Sequence, residues 1–402
     1  MSNTKSSIST TTLRMPKTLS EVEASWLTLA LRSTKTINEH THVIEFDSEL
    51  LGDGEGFLGD LARISLSYEG GKGPPSAILK IPTRKQENRG FGLLVGAYES
   101  EVLFYNELAP LIDVRIPQHY FAAMEANTRV AALMERVLAV LPEQVTLRLL
   151  PRLATAAGKL DRRSVIVMED LGDVRIGDQV AGASISDAEL AIDILARFHA
   201  TFWNSHDLNR KWLKRQDQMI LVAHGLYLQA LPTLETRFHD RLNAKTRTVL
   251  DAITERGPEL LRCITKGPLT LVHGDYRMDN LTFFDGVTPA AGMIDFQGVR
   301  VGHPVTDVAY FLRPNLTSDA ADEAEHLLLR RYQRGLRHHG VTDYSFETLL
   351  SDYELAQLWV LHLGVILIGT LDLSHERGAK IVDRTIERML HTAHRLKPDH
   401  WF

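Results

Sequence analysis

The chain has 402 residues, 44% hydrophobic and 24% charged, an ordinary balance for a globular protein and enough length for two or three domains or lobes. A formal net charge of −6, with Lys and Arg spread along the chain, gives no basic face for nucleic acid. The one cysteine, Cys263, excludes an intrachain disulfide and suits a reducing cytosol, and the most apolar stretch, Trp359 to Leu371, is interrupted by His362 and too short to span a bilayer.

The first dozen residues are rich in Ser and Thr, so a disordered tail is expected over 1–18, without a secretory signal. Ser20-Glu21-Val22-Glu23 has the form of a capping box, and Val22, Trp26 and Leu29 mark one face of the helix it would open. Residues from about 42 to 82 read as strands. Within them Gly54-Glu55-Gly56-Phe57-Leu58-Gly59 fits GxGxxG, a pattern that also describes a dinucleotide-binding turn. Such a turn opens a helix, whereas here Ala62, Ile64, Leu66 and Tyr68 alternate with Arg63, Ser65 and Ser67, which is strand periodicity. The loop is therefore expected in a hairpin, where Gly54, Gly56 and Gly59 let backbone amides approach an anion.

Ala77-Ile78-Leu79-Lys80-Ile81-Pro82 carries one lysine among strand-forming residues, either an edge charge facing water or a buried cation that needs a partner. A helix is expected from about Leu93 to Ala109, with Leu94, Ala97, Tyr98, Phe104, Tyr105 and Leu108 clustered around the direction of Glu101. A carboxylate centred on a packing face calls for a cation, and Lys80 is the candidate; Glu99 points nearly opposite. Between Tyr120 and Ser164 the chain is longer than a strand connection needs, with runs at Met134 to Leu141 and Val145 to Leu153, so a helical insertion is expected over about 126–162. Ser164-Val165-Ile166-Val167-Met168-Glu169-Asp170-Leu171 reads as a strand leaving a core, ended by two carboxylates and Gly172. Beyond it the pattern is mainly helical apart from two hairpins.

Those hairpins hold the densest chemistry: His273-Gly274-Asp275-Tyr276-Arg277-Met278-Asp279-Asn280, followed by Ile294-Asp295-Phe296-Gln297, whose Asp295 stands fifteen residues after Asn280. Moving a phosphoryl group from ATP to a hydroxyl needs a carboxylate to orient the hydroxyl and accept its proton, plus oxygen ligands that hold Mg2+ against the phosphates. Singly, Asp275, Asn280 and Asp295 are as well explained as turn or capping residues. Jointly, the apolar runs Leu269 to Val272 and Met293-Ile294 deliver all three to one end of a hairpin, where they can supply those groups. Arg277 either neutralises a nearby carboxylate or approaches the acceptor. No Gly-x-x-x-x-Gly-Lys-[Ser/Thr] run occurs, which sets aside the P-loop class, and the pairs His338-His339 and His391 with His394 lack a second ligand pair at zinc spacing.

The HGDxxxxN and IDFQ pair resembles the catalytic and metal-binding loops of protein-kinase-like small-molecule kinases. This is the group of aminoglycoside phosphotransferases and choline kinases, with the closest local likeness to ecdysteroid kinase-like proteins. His-Gly-Asp stands where protein kinases have His-Arg-Asp, and Asp-Phe-Gln where they have Asp-Phe-Gly. The resemblance implies an α+β, bilobal protein-kinase-like fold. Its small N-terminal lobe, over 19–170, would carry an antiparallel sheet and one αC-type helix; its larger, mainly helical C-terminal lobe would span 171–402. By the same resemblance Asp275 is the base, Asn280 and Asp295 hold Mg2+, and Lys80 contacts the ATP phosphates. Glu101, in a Glu-x-x-Phe-Tyr setting, would fix Lys80, the Gly54 to Gly59 loop would cover the phosphates, and backbone groups at Met168, Glu169 and Leu171 would read the adenine. Asp307 resembles the aspartate that braces the catalytic loop, while His199 is expected to make a core hydrogen bond.

The implied activity is ATP-dependent transfer of the γ-phosphoryl group to a small-molecule hydroxyl in the cytosol, with no nucleic-acid or membrane partner and an oligomeric state left open. Helices from about Leu316 to Phe402 would build the acceptor pocket. Their small acidic excess disfavours a polycationic aminoglycoside. Apolar Leu361, Leu363, Val365 and Ile366 beside Trp359 incline the reading to a hydrophobic alcohol such as a sterol or terpenoid, with an amino sugar or choline-like alcohol otherwise. The alternative is a catalytically inactive nucleotide or metabolite sensor or scaffold, which has no need to keep a base and two metal ligands together. A nicotinamide-dependent dehydrogenase is opposed by the strand pattern after Gly59.

Overall fold

Ala62, Ile64 and Leu66 bury one face of a strand in the computed structural model, which describes residues 13–51, 58–126, 141–160, 162–218, 220–370 and 376–397. By its internal contacts the chain forms two units: Met1–Tyr105 with Pro117–Met134 and Arg152–Leu171, and Asn106–Ile116 with Glu135–Pro151 and Gly172–Phe402. Mixed α+β architecture holds in both.

The first unit contains helix α1 (Ala24–Ser33), strands β1 (His42–Leu51), β2 (Gly59–Glu69) and β3 (Ser76–Pro82), helices α2 (Gln86–Val95) and α3 (Ala97–Leu103), and strand β4 (His119–Met124). Helix α4 (Glu143–Gly158) contributes from Arg152 onward, and β5 (Ser164–Glu169) completes the set. The five strands form one antiparallel sheet in the order β1-β2-β3-β5-β4. Trp26, Leu27 and Leu31 of α1 pack with Ile64, Leu79, Val165 and Val167 in one apolar core.

Three local expectations change. The capping box does not form: Ser20 sits inside a 3-10 turn, Leu19–Glu21, where Glu21 accepts the Lys17 N–H at 2.8 Å, and α1 opens at Glu23. Val22 and Trp26 are buried but Leu29 is exposed, and Met15 already belongs to the core, so ordered packing begins before residue 19. The single helix expected over 93–109 is broken at Gly96, whose φ of 72° ends α2 with N–H bonds to Gly92 and Leu93 carbonyls before α3 restarts. Glycine takes that left-handed C-cap geometry without a Cβ penalty. Of the insertion, α4 is observed; Met134 to 140, and with them most of the expected first run, lie outside the described residues.

The second unit holds β6 (Arg175–Ile176), α5 (Ile185–Thr201), α6 (Ile220–Arg237), α7 (Ala244–Cys263), β7 (Thr270–Val272), β8 (Leu281–Phe284), β9 (Ala290–Met293) and β10 (Arg300–Gly302). Helices α8 (Val305–Asn315), α9 (Ser318–His338), α10 (Phe346–Thr370) and α11 (Glu376–Ala393) follow. Small antiparallel sheets β6-β8-β9 and β10-β7 frame the two hairpins. Helix α10 packs on α6 and α8, and α5 packs on α9. Among the described residues no helix is long and apolar enough to cross a membrane.

Between α6 and α10 three rings stack: Tyr227 on His362 at 4.8 Å and 6°, with His224 parallel to both. His224 Nδ1 and His362 Nε2 are buried without a hydrogen-bond partner. Burial, with the neighbouring His224 ring, pushes the His362 pKa down to about 3. A histidine pKa depressed by folding contributes stability that is complete above the ordinary value of 6.5 and is lost as pH falls toward the folded value. His362→Phe keeps the stack and removes the titration. Its melting temperature should therefore fall less than that of the parent as pH drops from about 7 to about 4, read by thermal denaturation.

Candidate active site

In the first unit β3 carries Lys80 opposite Leu61 of β2 and Ile166 of β5, so its side chain leaves a central strand rather than an edge. Nζ lies 2.7 Å from Glu101 Oε1, and both residues are nearly excluded from solvent, at 8% and 2% exposure. A buried pair of this kind is retained because each charge would be costly alone. Glu99, one step off the buried face of α3, instead meets Arg162 at 3.3 Å. Gly59 opens β2 beside this pair: a Cβ there would stand 3.2 Å from Lys80 Cε. Gly54 and Gly56 lie outside the described residues; β1 and β2, which flank them, are paired.

Met168, Glu169 and Leu171 sit at the end of β5. The Glu169 N–H is spent on the Gln118 carbonyl at 2.7 Å, and its side chain accepts the Gln118 N–H at 3.0 Å. Met168 is buried and receives the Tyr105 hydroxyl at 3.8 Å, and the next residue, Asp170, pairs with Arg63 at 2.9 Å.

The second unit brings Asp275 and Asn280 into contact and carries Asp295 on the adjoining strand end. The Asn280 amide donates to the Asp275 carboxylate at 2.9 Å and to its carbonyl at 2.8 Å, which makes Oδ1 the opposite end of that amide. Asn280 also accepts the Ile294 N–H at 3.0 Å on its own carbonyl, tying the first loop to the residue before Asp295. Asp295 adopts φ 63°, a left-handed conformation that aspartate tolerates better than most side chains, and leads into the 3-10 turn Phe296–Gly298. Gly274, at φ 78°, has no alternative: a Cβ would stand 2.2 Å from the Gly298 carbonyl oxygen.

Asp275 keeps 37% of its side chain exposed while three side chains hold it: Asn280, Arg277 Nε at 3.2 Å and the Tyr310 hydroxyl at 3.2 Å on the other oxygen. Arg277 also donates to Gln179 Oε1 and Asp279 Oδ2, both at 2.8 Å, so it serves to neutralise carboxylates, and its guanidinium stays firmly charged against the cost of burial. Burial, reinforced by the Asp275 charge, pushes the Tyr310 phenol well above its ordinary value, which keeps it a donor.

Below the loop, Asp307 of α8 accepts the His273 N–H at 2.6 Å, the Gly274 N–H at 3.0 Å and a contact from His199 Nε2 at 3.3 Å. His199 is fully buried, and Tyr332 meets its other nitrogen at 2.7 Å. The His273 side chain donates from Nε2 to the Ile294 carbonyl at 3.1 Å, a second tie between the two loops. Sequence reasoning missed Tyr310, Gln179 and Asn315, the last of which accepts the Met278 N–H at 2.9 Å. Tyr310 carried a usable signal, since it follows Asp307 by one helical turn on the same face.

The sequence pattern of the ecdysteroid kinase-like family matches residues 53–341. No curated protein matches the chain. Similar solved structures include choline kinase from Cryptosporidium parvum, at 11% identity over 92% of this chain and 95% of that chain, TM-score 0.49. An amicoumacin kinase in complex with AMP-PNP and Ca2+ shares 14% identity over 87% and 88%, TM-score 0.48. Ethanolamine kinase from Plasmodium vivax shares 12% over 87% and 82%, TM-score 0.45. Likeness of this degree bears on neither substrate nor mechanism.

Proposed function

The chain belongs to the ecdysteroid kinase-like family, and from that premise we propose that it is an ATP-dependent phosphotransferase, acting in the cytosol, that moves the γ-phosphoryl group to a hydroxyl of a small molecule. The observation that carries the reading is a half-exposed Asp275 carboxylate, held by three donors, on a loop that also presents Asn280 and lies hydrogen-bonded beside Asp295.

In this reading Asp275 orients the acceptor hydroxyl and takes its proton as the oxygen attacks the γ-phosphorus, while the bond from that phosphorus to the β,γ-bridging oxygen breaks and ADP leaves. Arg277, Asn280 and Tyr310 hold the carboxylate still, and positioning of this sort supplies much of the rate in phosphoryl transfer. Lys80, kept in place by Glu101, would hold phosphate oxygens, with the glycine segment ending at Gly59 over them. Backbone groups at Met168, Glu169 and Leu171 would take the adenine edge, the Glu169 N–H excepted, which the Gln118 carbonyl already holds. Asn280 Oδ1 and the Asp295 carboxylate are hard oxygen donors, few in number, and suit Mg2+, which keeps water and phosphate oxygens for the rest of its shell. When bound, Mg2+ would offset phosphate charge.

For the acceptor we favour a hydrophobic alcohol. Leu361 and Val365 turn out to be core residues, so they no longer support that preference. Trp359 does: its ring lies 6.5 Å from Tyr310, whose hydroxyl touches Asp275, and so sets an apolar surface near the base. The test is transfer of labelled γ-phosphate from Mg-ATP into sterols, terpenoid alcohols, amino sugars and choline-like alcohols. Label in the sterol or terpenoid fraction is the expected result. Label confined to the polar alcohols would overturn the acceptor class, and ATP binding without transfer to any of them would favour the sensor reading.

A further inference from the structure

A cavity of about 790 Å3 opens on the second unit, lined by none of the residues of the Asp275 loop. Helix α11 lays Arg384, Arg388 and His391 along it at i, i+4 and i+7, one face of a helix, with His394 just beyond. Arg241 faces it from the segment before α7. Two carboxylates share the lining, and neither cancels these charges. Glu387 is divided between Arg241 at 3.1 Å and Arg384 at 3.0 Å, one negative charge against two guanidinium groups. Asp240 is turned to solvent, 83% exposed, where it meets His239 at 2.8 Å.

Arg388 is the third cation, buried to 9% exposure. Its guanidinium donates to the carbonyls of Gln179 at 2.6 Å, Pro314 at 2.9 Å and Val180 at 2.9 Å, dipoles that fix it in place without removing its charge. Asn243 and Thr317, which cap the long helices α7 and α9, also line the cavity and add the positive ends of two helices to the same field. Buried and exposed guanidinium groups around a concave volume match the planar, multi-oxygen geometry of carboxylate and phosphate groups.

We infer that this cavity is an accessory binding site for a small polyanion, a phosphate ester or a polycarboxylate. The Arg388 guanidinium provides a preset charge, and the exposed Arg241 and Arg384 exchange their shared Glu387 for the ligand.

Isothermal titration of the full chain with pyrophosphate and with citrate, at low and at higher salt, tests it. The parent protein should bind at least one probe, with affinity falling as salt rises. Binding of pyrophosphate alone would mark a phosphate ester as the ligand class, and of citrate a polycarboxylate. Arg241→Ala with Arg384→Ala, both at exposed positions that leave the fold intact, should weaken binding by about tenfold or more, the loss of about 1.4 kcal/mol. Glu387→Gln, which removes the internal competitor, should strengthen it. No binding of either probe at millimolar concentration, equal affinity in the double variant, or weaker binding in Glu387→Gln would each overturn the site.

Discussion

Asp275→Asn should cost about 10²- to 10⁴-fold in phosphoryl transfer while leaving the fold and nucleotide affinity close to those of the parent. The fold survives because the amide can reproduce the contacts. Its oxygen can face Asn280 and Arg277, which donate to Oδ2 at 2.9 and 3.2 Å, and its NH2 can face Tyr310, whose hydroxyl can rotate to accept. Arg277 keeps Asp279 and Gln179. What the amide cannot do is take a proton from the acceptor hydroxyl. Labelled γ-phosphate transfer, measured beside nucleotide titration and a melting curve, separates the two effects. Turnover equal to the parent would remove Asp275 from the role, and a collapsed melting temperature would show that its part is structural.

How much of this could be read beforehand depended on whether a residue's partner lies on the same local pattern. The Lys80–Glu101 contact was legible because a lone cation on an apolar strand and a lone anion on an apolar helix face each demand a counter-charge. The loops around Asp275 and Asp295 were legible from spacing, and the contact of Asn280 with Asp275 follows from the five-residue step. The helix carrying Glu101 was misjudged because apolar periodicity runs through Gly96 unbroken, while the left-handed backbone there depends on a single glycine. The capping box failed because Ser20 is taken into the preceding 3-10 turn, while its intended partner Glu23 becomes the N-cap residue of the helix and accepts the Ser25 hydroxyl at 3.1 Å. Partners such as Gln179, 98 residues from Arg277, belong to tertiary structure and leave no local trace.

Asp307→Ala should be the most damaging single change for stability. The carboxylate is buried and accepts two backbone N–H groups, those of His273 and Gly274, at the one bend where Gly274 has no other conformation open to it. Removing it leaves both amides and His199 Nε2 without this acceptor, at about 1–3 kcal/mol for each buried group left unsatisfied. Against a total stability of about 5–15 kcal/mol for a typical domain, the loss is large enough to release the loop that carries Asp275. Burial by itself raises the Asp307 pKa, but the His199 hydrogen bond, the His199 and His273 charges and the His273 N–H outweigh it and hold it below the ordinary 3.8. A depressed carboxylate contributes stability that is complete above its unfolded value and disappears as pH falls through the folded one. The deficit of Asp307→Ala, measured as a shift in urea midpoint, should therefore be widest at neutral pH and shrink only in strong acid, where the parent protonates the same carboxylate. A deficit that instead widened as pH fell below 6.5 would assign the effect to His199, whose burial-lowered pKa the Asp307 hydrogen bond and charge raise, and Asp307 would then be a partner of that histidine before it is a brace for the loop.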